Sequence, residues 1–166
     1  MRARAAFLTV LIVSGCSKKT AIEPPVAAAP TPAAPVQPIS EINVFERMAA
    51  EGANKNKSDP STQKVLDALT KAGLTLSQQE QHLGATLGAT HCIGVVAAEH
   101  LTFTVCEYAS PAAATEGAEN QRKIYAAIAN CTLHVRRSTT MSVVEGPADQ
   151  VAGDAHRKAA AVFEAL

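Results

Sequence analysis

The sequence predicts an α+β domain. It should hold a four-stranded, mostly antiparallel sheet built from two successive strand–strand–helix units, with both helices on one apolar face and two further helices N-terminal to it. Three observations predict this. From Cys92 to Cys106 apolar residues recur at every second position, the period of a half-buried strand pair. A similar alternation returns between Leu133 and Val143. Each paired run precedes a proline-opened segment, at Ser110-Pro111 and at Pro147, with apolar residues at helical spacing.

Folded about Glu99, with Ala98-Glu99-His100 as its loop, the first run sets Ile93 opposite Val105, Val95 opposite Phe103 and Ala97 opposite Leu101. Gly94, Val96, Thr102 and Thr104 then occupy the other face, and Cys92 falls opposite Cys106. The helix after Ser110 extends to about Ala129 and presents Ala114, Ala118, Gln121, Ile124, Tyr125 and Ile128. A second hairpin centred on Ser138 pairs Val135 with Met141 and Leu133 with Val143, leaving His134, Arg136, Thr140 and Ser142 outward. The last helix carries Val151, Ala155, Ala159, Val162, Phe163 and Leu166 at helical spacing. Two such units bury their apolar faces most simply as one sheet with the helices packed on it.

Upstream, Ser40 is placed to cap a helix with Ile42, Phe45, Met48 and Ala49 on one face, ending near Gly52. Asp59-Pro60 reads as the cap and first position of a second helix, with Val65, Leu66, Leu69 and Ala72 inward and Gly73 as its stop. Leu74 to Gln81 has the polarity of an edge strand, outside the four counted, and His82 to Thr90 is a Gly/Ala/Thr-rich connector.

The 166 residues balance 15 Lys and Arg against 15 Asp and Glu. A nucleic-acid binder needs a basic face to neutralise phosphates, and no such excess exists. Aromatic content is low and tryptophan is absent, so the core must come mainly from Val, Leu, Ile and Ala.

The N-terminus has the parts of an export signal in order: Arg2 and Arg4, an apolar run from Ala5 to Val13 interrupted by Thr9, then small residues. The run is too short to span a bilayer, which takes roughly 20 residues. Its end, Val13-Ser14-Gly15-Cys16, resembles the lipobox of bacterial lipoproteins. That resemblance covers only the first tenth of the chain. It implies cleavage after Gly15, lipidation of Cys16 and attachment to a membrane through that lipid, and two or more acyl chains anchor stably. Ser17, where an Asp would signal inner-membrane retention, implies the outer membrane with the domain facing the periplasm. Residues 1–15 are then the cleaved signal, 16–39 the lipidated cysteine and its linker, and 40–166 the domain. The linker holds Pro24, Pro25, Pro30, Pro32, Pro35 and Pro38, and as polyproline II it would reach up to ~70 Å, a stalk between lipid and domain.

With Cys16 lipidated, Cys92, Cys106 and Cys131 remain in an oxidising compartment, where disulfides are expected. Cys92 with Cys106 is the pairing favoured by the hairpin register, and Cys106 with Cys131 is its rival. The favoured bridge leaves Cys131 as a small buried hydrophobe. A thiol-redox or metal-handling role for the three cysteines, with His91, His100 and His134 nearby, is the sharper alternative. Against it, no pair has zinc-site spacing and there is no Cys-x-x-Cys. The histidines read instead as solvated sheet-face or loop residues.

Hydrolase signatures are also lacking: there is no Gly-x-Ser-x-Gly and no His-Glu-x-x-His. No cofactor motif is visible, and Arg136-Arg137 reads as a solvated hairpin tip. The expectation is a non-enzymatic envelope lipoprotein that binds a partner or ligand, or serves assembly, through a polar sheet face of Thr102, Thr104, His134, Arg136, Thr140 and Ser142.

Overall fold

The structure is a computed structural model that describes residues 43–146 and 150–166. Cys16, the linker, Ser40 and Pro147 lie outside the described residues. Two helices, α1 (Val44–Gly52) and α2 (Thr62–Lys71), lead into β1 (Leu76–His82). A 3-10 turn at Gly84–Leu87 precedes β2 (His91–Ala97) and β3 (Leu101–Glu107). Then come α3 (Pro111–Ile124), a 3-10 turn at Tyr125–Ala127, β4 (Cys131–Arg136), β5 (Thr139–Glu145) and α4 (Gln150–Glu164). The α+β class and the two strand–strand–helix units are present, but the sheet has five strands, in the order β1-β2-β3-β5-β4, all antiparallel. The fifth is the polar Leu76–His82 segment, which adds to the β2 edge. A bulge between Ser77 and Glu80, with Gln78 at positive φ, interrupts that ladder.

The first hairpin has the register that its alternation dictates: Ile93 meets Val105, Val95 meets Phe103, Ala97 meets Leu101 and Cys92 meets Cys106. The second does not. Its loop is two residues, Arg137-Ser138, with Arg137 at positive φ, so Val135 meets Thr140, His134 meets Met141 and Leu133 meets Ser142. A one-residue slip sends every side chain of a strand to the opposite face. In β4 it points Thr132, His134 and Arg136 to the side of Met141, and Cys131, Leu133 and Val135 to the side of Thr140 and Ser142.

Helices cover both faces rather than one. The larger core joins Val65, Leu66 and Leu69 of α2 and Ala152, Ala155, Ala159 and Phe163 of α4 to Val95, Phe103, Val105, Met141 and Val143. On the other face a smaller cluster joins Ala114 of α3 to Cys92, Cys106, Tyr108 and Leu87. Gln121 of α3 donates to Thr140 Oγ1 at 3.1 Å and to the Tyr108 hydroxyl at 2.8 Å, so α3 lies across the disulfide end of that face. α3 starts at Ser110-Pro111 as expected, with Ser110 Oγ accepting from Ala113 N–H as its cap. The helix turns 3-10 after Ile124, which leaves Ile124 and Ile128 of its expected apolar stripe exposed.

The N-terminal helices are capped elsewhere than expected. Asn43 Oδ1 accepts from Phe45 N–H to open α1, and Ser61 Oγ accepts from Lys64 N–H to open α2, two residues beyond Asp59. Phe45 points to solvent, and the buried residue of α1 is Glu51. In α4 the inward position is Ala152 rather than Val151.

Candidate functional site

The six residues predicted to share a polar face do not share one. Thr102, Thr104, Thr140 and Ser142 lie together on the α3 side of the sheet, whereas the register of β4 places His134 and Arg136 on the α2/α4 side. Of the four, Thr140 is fully buried under Gln121 and Ser142 is buried, which leaves Thr102 exposed and Thr104 half-buried.

α3 covers only the Cys92–Cys106 end of its face, and the other end is open. Two hollows flank Thr102 and Thr104 there. One, of about 350 Å³, lies between the end of α3 and β4 and is lined by Arg122, Tyr125, Ile128, Cys131 and Leu133. The other, of about 190 Å³, lies over β1 and β2 and is lined by Gln78, Glu80, His82, Val96 and Thr102. The His82 imidazole occupies the space above Gly94, a place that any side chain at 94 would fill. Burial raises the Cys131 thiol and the Tyr125 hydroxyl above their ordinary pKa values, so both are protonated at neutral pH. A protonated thiol is a poor nucleophile and a poor metal ligand. The open face is thus amphipathic, carrying the Arg122 guanidinium and, at Cys131, a protonated thiol rather than a thiolate.

Cys92 and Cys106 form the disulfide, with Cα atoms 4.1 Å apart and both side chains fully buried. The pair is a cross-strand staple under α3, and Cys131 is the free cysteine among the described residues. In the chain-entropy description a bridge closing a loop of about 15 residues stabilises by roughly 3 kcal/mol.

At the same end of the sheet, on the opposite face, two buried carboxylates are bound by backbone. Glu107, with no exposed surface, accepts from the N–H groups of Asn56, Lys57, Ser58 and Thr62 at 2.7–3.1 Å and from the Thr62 hydroxyl at 2.9 Å. Glu51 accepts from Gly84 and Ala85 N–H at 2.7 and 2.9 Å. Carboxylates at helix starts satisfy donors that have no partner within the helix. Both groups are therefore occupied in holding chain segments, and neither is free for acid–base work.

His91, paired with Glu107 across the β2–β3 ladder, is buried as well, not solvated as expected, and its Nδ1 has no hydrogen-bond partner. Burial pushes its pKa below the ordinary 6.5, against the pull of Glu107 and Glu51 and aided by Lys55. The unfolded chain then takes up this proton first. The stability that His91 contributes is complete above pH 6.5 and declines as pH falls below it, until the folded group also protonates. Melting temperature followed from pH 8 to pH 5 should fall below pH 6.5, and His91→Gln should flatten that slope. An unchanged slope in the variant would exclude His91 as its source.

A second polar group lies at the β4 edge, where α4 crosses. His134 Nε2 and His156 Nε2 face each other at 3.4 Å, with ring planes 85° apart. His156 Nδ1 bonds Glu145 Oε1, and His134 Nδ1 stands 3.8 Å from Glu164 Oε1. Both rings are about 15% exposed, and burial, with His156 beside it, lowers the pKa of His134. The sequence reading missed His156, Glu145 and Glu107. His156 sits beside the inward position Ala155 of the last helix, but with the β4 register slipped His134 pointed away from it. Among the described residues no group of three or more His, Cys, Asp or Glu side chains is placed to hold a metal ion, and no helix is long and apolar enough to cross a membrane. Compared with protein-family models, curated proteins and solved structures, the chain matches none of them.

Proposed function

We propose that the chain is a lipid-anchored protein of the bacterial envelope whose domain, held off the outer membrane on a proline-rich stalk, acts by binding rather than by catalysis. The observation that carries the binding reading is the half of the α3-side sheet face that α3 leaves open, with Thr102 and Thr104 between two hollows. Its mixture of Thr hydroxyls, the Arg122 guanidinium, Tyr125 and exposed Ile128 suits a protein surface. Export is supported by the signal-like N-terminus and the buried Cys92–Cys106 bridge, which an oxidising compartment favours. The same bridge weighs against thiol chemistry, because two of the three remaining cysteines are tied into the fold beneath α3.

The test is a photo-reactive amino acid placed in the living envelope at Thr102 or Ile128, with Gln63 and Lys158 as exposed control positions remote from this face. The proposal expects one discrete adduct from the first two positions and none from the controls. No adduct at either face position, or the same adducts at all four, would contradict it.

A further inference from the structure

We propose that His134 and His156 form a binding site for a divalent transition-metal ion of the zinc type, held by the two Nε2 atoms with water completing its coordination. The two nitrogens stand 3.4 Å apart. Two imidazoles on one tetrahedral zinc, each at about 2.0–2.1 Å, have nitrogens about 3.3–3.4 Å apart, so the spacing already matches. The ring centroids, 5.7 Å apart, place the rings nose to nose. Tetrahedral chelation would set each ring axis about 35° off the line joining the nitrogens and bring the centroids to about 5.2 Å, so both side chains must turn on binding.

The carboxylates supply the second argument. A carboxylate at Nδ1 keeps the proton on that nitrogen and leaves the lone pair on Nε2, the arrangement found behind metal-binding histidines. Here Glu145 holds His156 Nδ1 and Glu164 faces His134 Nδ1. With the rings so oriented, the two Nε2 lone pairs face one another over 3.4 Å, and a cation held beside that line by both nitrogens relieves the conflict. Imidazole donors suit zinc, copper and nickel rather than magnesium or calcium. With two protein ligands the ion would be exchangeable, unlike the four-ligand sites that hold a fold together. The site lies on the sheet face opposite the proposed binding surface, at the β4 edge, so it does not depend on that reading.

The experiment is calorimetric titration of zinc chloride into the full-length protein, purified in detergent and stripped with a chelator. It is run on the wild type, His134→Asn, His156→Asn, Glu145→Gln and, as a control on a remote histidine, His82→Asn. The expected result is one ion per chain in the wild type and in His82→Asn. Binding should be lost or about 100-fold weaker in the two ligand variants, and roughly tenfold weaker in Glu145→Gln. Nitrogen NMR of the wild type provides a readout independent of how the variants fold, because zinc should shift both Nε2 resonances. Absence of saturable binding, full retention of it in either ligand variant, or Nε2 resonances unmoved by zinc would overturn the site and leave only a shared proton between the rings.

Discussion

Glu107→Ala is expected to destabilise the domain by about 3–5 kcal/mol, a large share of the roughly 5–15 kcal/mol that holds a domain folded. The side chain is at the end of β3 with no exposed surface, and five donors converge on its two oxygens. Three come from the Asn56–Ser58 segment, and the Thr62 N–H and hydroxyl come from the first residue of α2. Hydrogen bonds to a charged group contribute about 1.5–3 kcal/mol each, and a buried donor left without a partner costs about 1–3 kcal/mol. The sum is reduced because the segment can open to water once its anchor is gone. Denaturant unfolding measures the loss. Glu107→Gln should fall between wild type and alanine, since an amide keeps one acceptor oxygen but turns N–H donors toward N–H donors. A loss below about 1 kcal/mol for alanine would show that the segment is held by other contacts.

Gly117→Ala should destabilise, with a sign opposite to what helix propensity gives. In an exposed helix interior the change from glycine to alanine gains about 1 kcal/mol. Gly117 is instead a buried residue of α3, and the Tyr108 ring lies where its Cβ would be, with the hydroxyl oxygen only 2.6 Å from that point. Tyr108 cannot swing aside cheaply. It is 1% exposed and hydrogen-bonded to Gln121, which also bonds Thr140. Overpacking of this kind costs about 1–3 kcal/mol net, and a clash with an aromatic ring belongs at the upper end. Tyr108→Leu combined with Gly117→Ala should remove the conflict, giving a coupling energy above about 1 kcal/mol in a double-mutant cycle. Simple additivity in that cycle would refute the contact as the cause.

These two sites show how unevenly the sequence speaks. The first hairpin was legible to the residue because its faces differ in kind: Ile93, Val95, Ala97, Leu101, Phe103 and Val105 against Gly94, Thr102 and Thr104. That contrast fixed the Cys92–Cys106 register as well. The second hairpin was read one residue out of phase. Its Leu133 and Val135 look like core, but β4 is an edge strand whose apolar side turns toward α3 and Tyr125, while Thr132, His134 and Arg136 turn toward α4. Alternation identifies two faces without saying which is inner, and a sheet covered on both sides has two inner faces. The expectation of both helices on one face made the wrong phase look natural. Placing α3 over Cys92, Cys106 and Thr140 corrects it. Glu107 and Glu51 were illegible for a different reason, since nothing local marks a charged residue as the acceptor for backbone donors some 50 or 33 positions away.

The most direct test of the central claim is non-reducing peptide mapping by mass spectrometry on the protein extracted from its own membranes. The account predicts a chain beginning at Cys16 with its sulfur and amine acylated, a Cys92–Cys106 cross-linked peptide, and Cys131 recovered as a free thiol. An unmodified Cys16 at an uncleaved N-terminus, with Cys92 and Cys106 both free, would contradict it and return the domain to a reducing compartment.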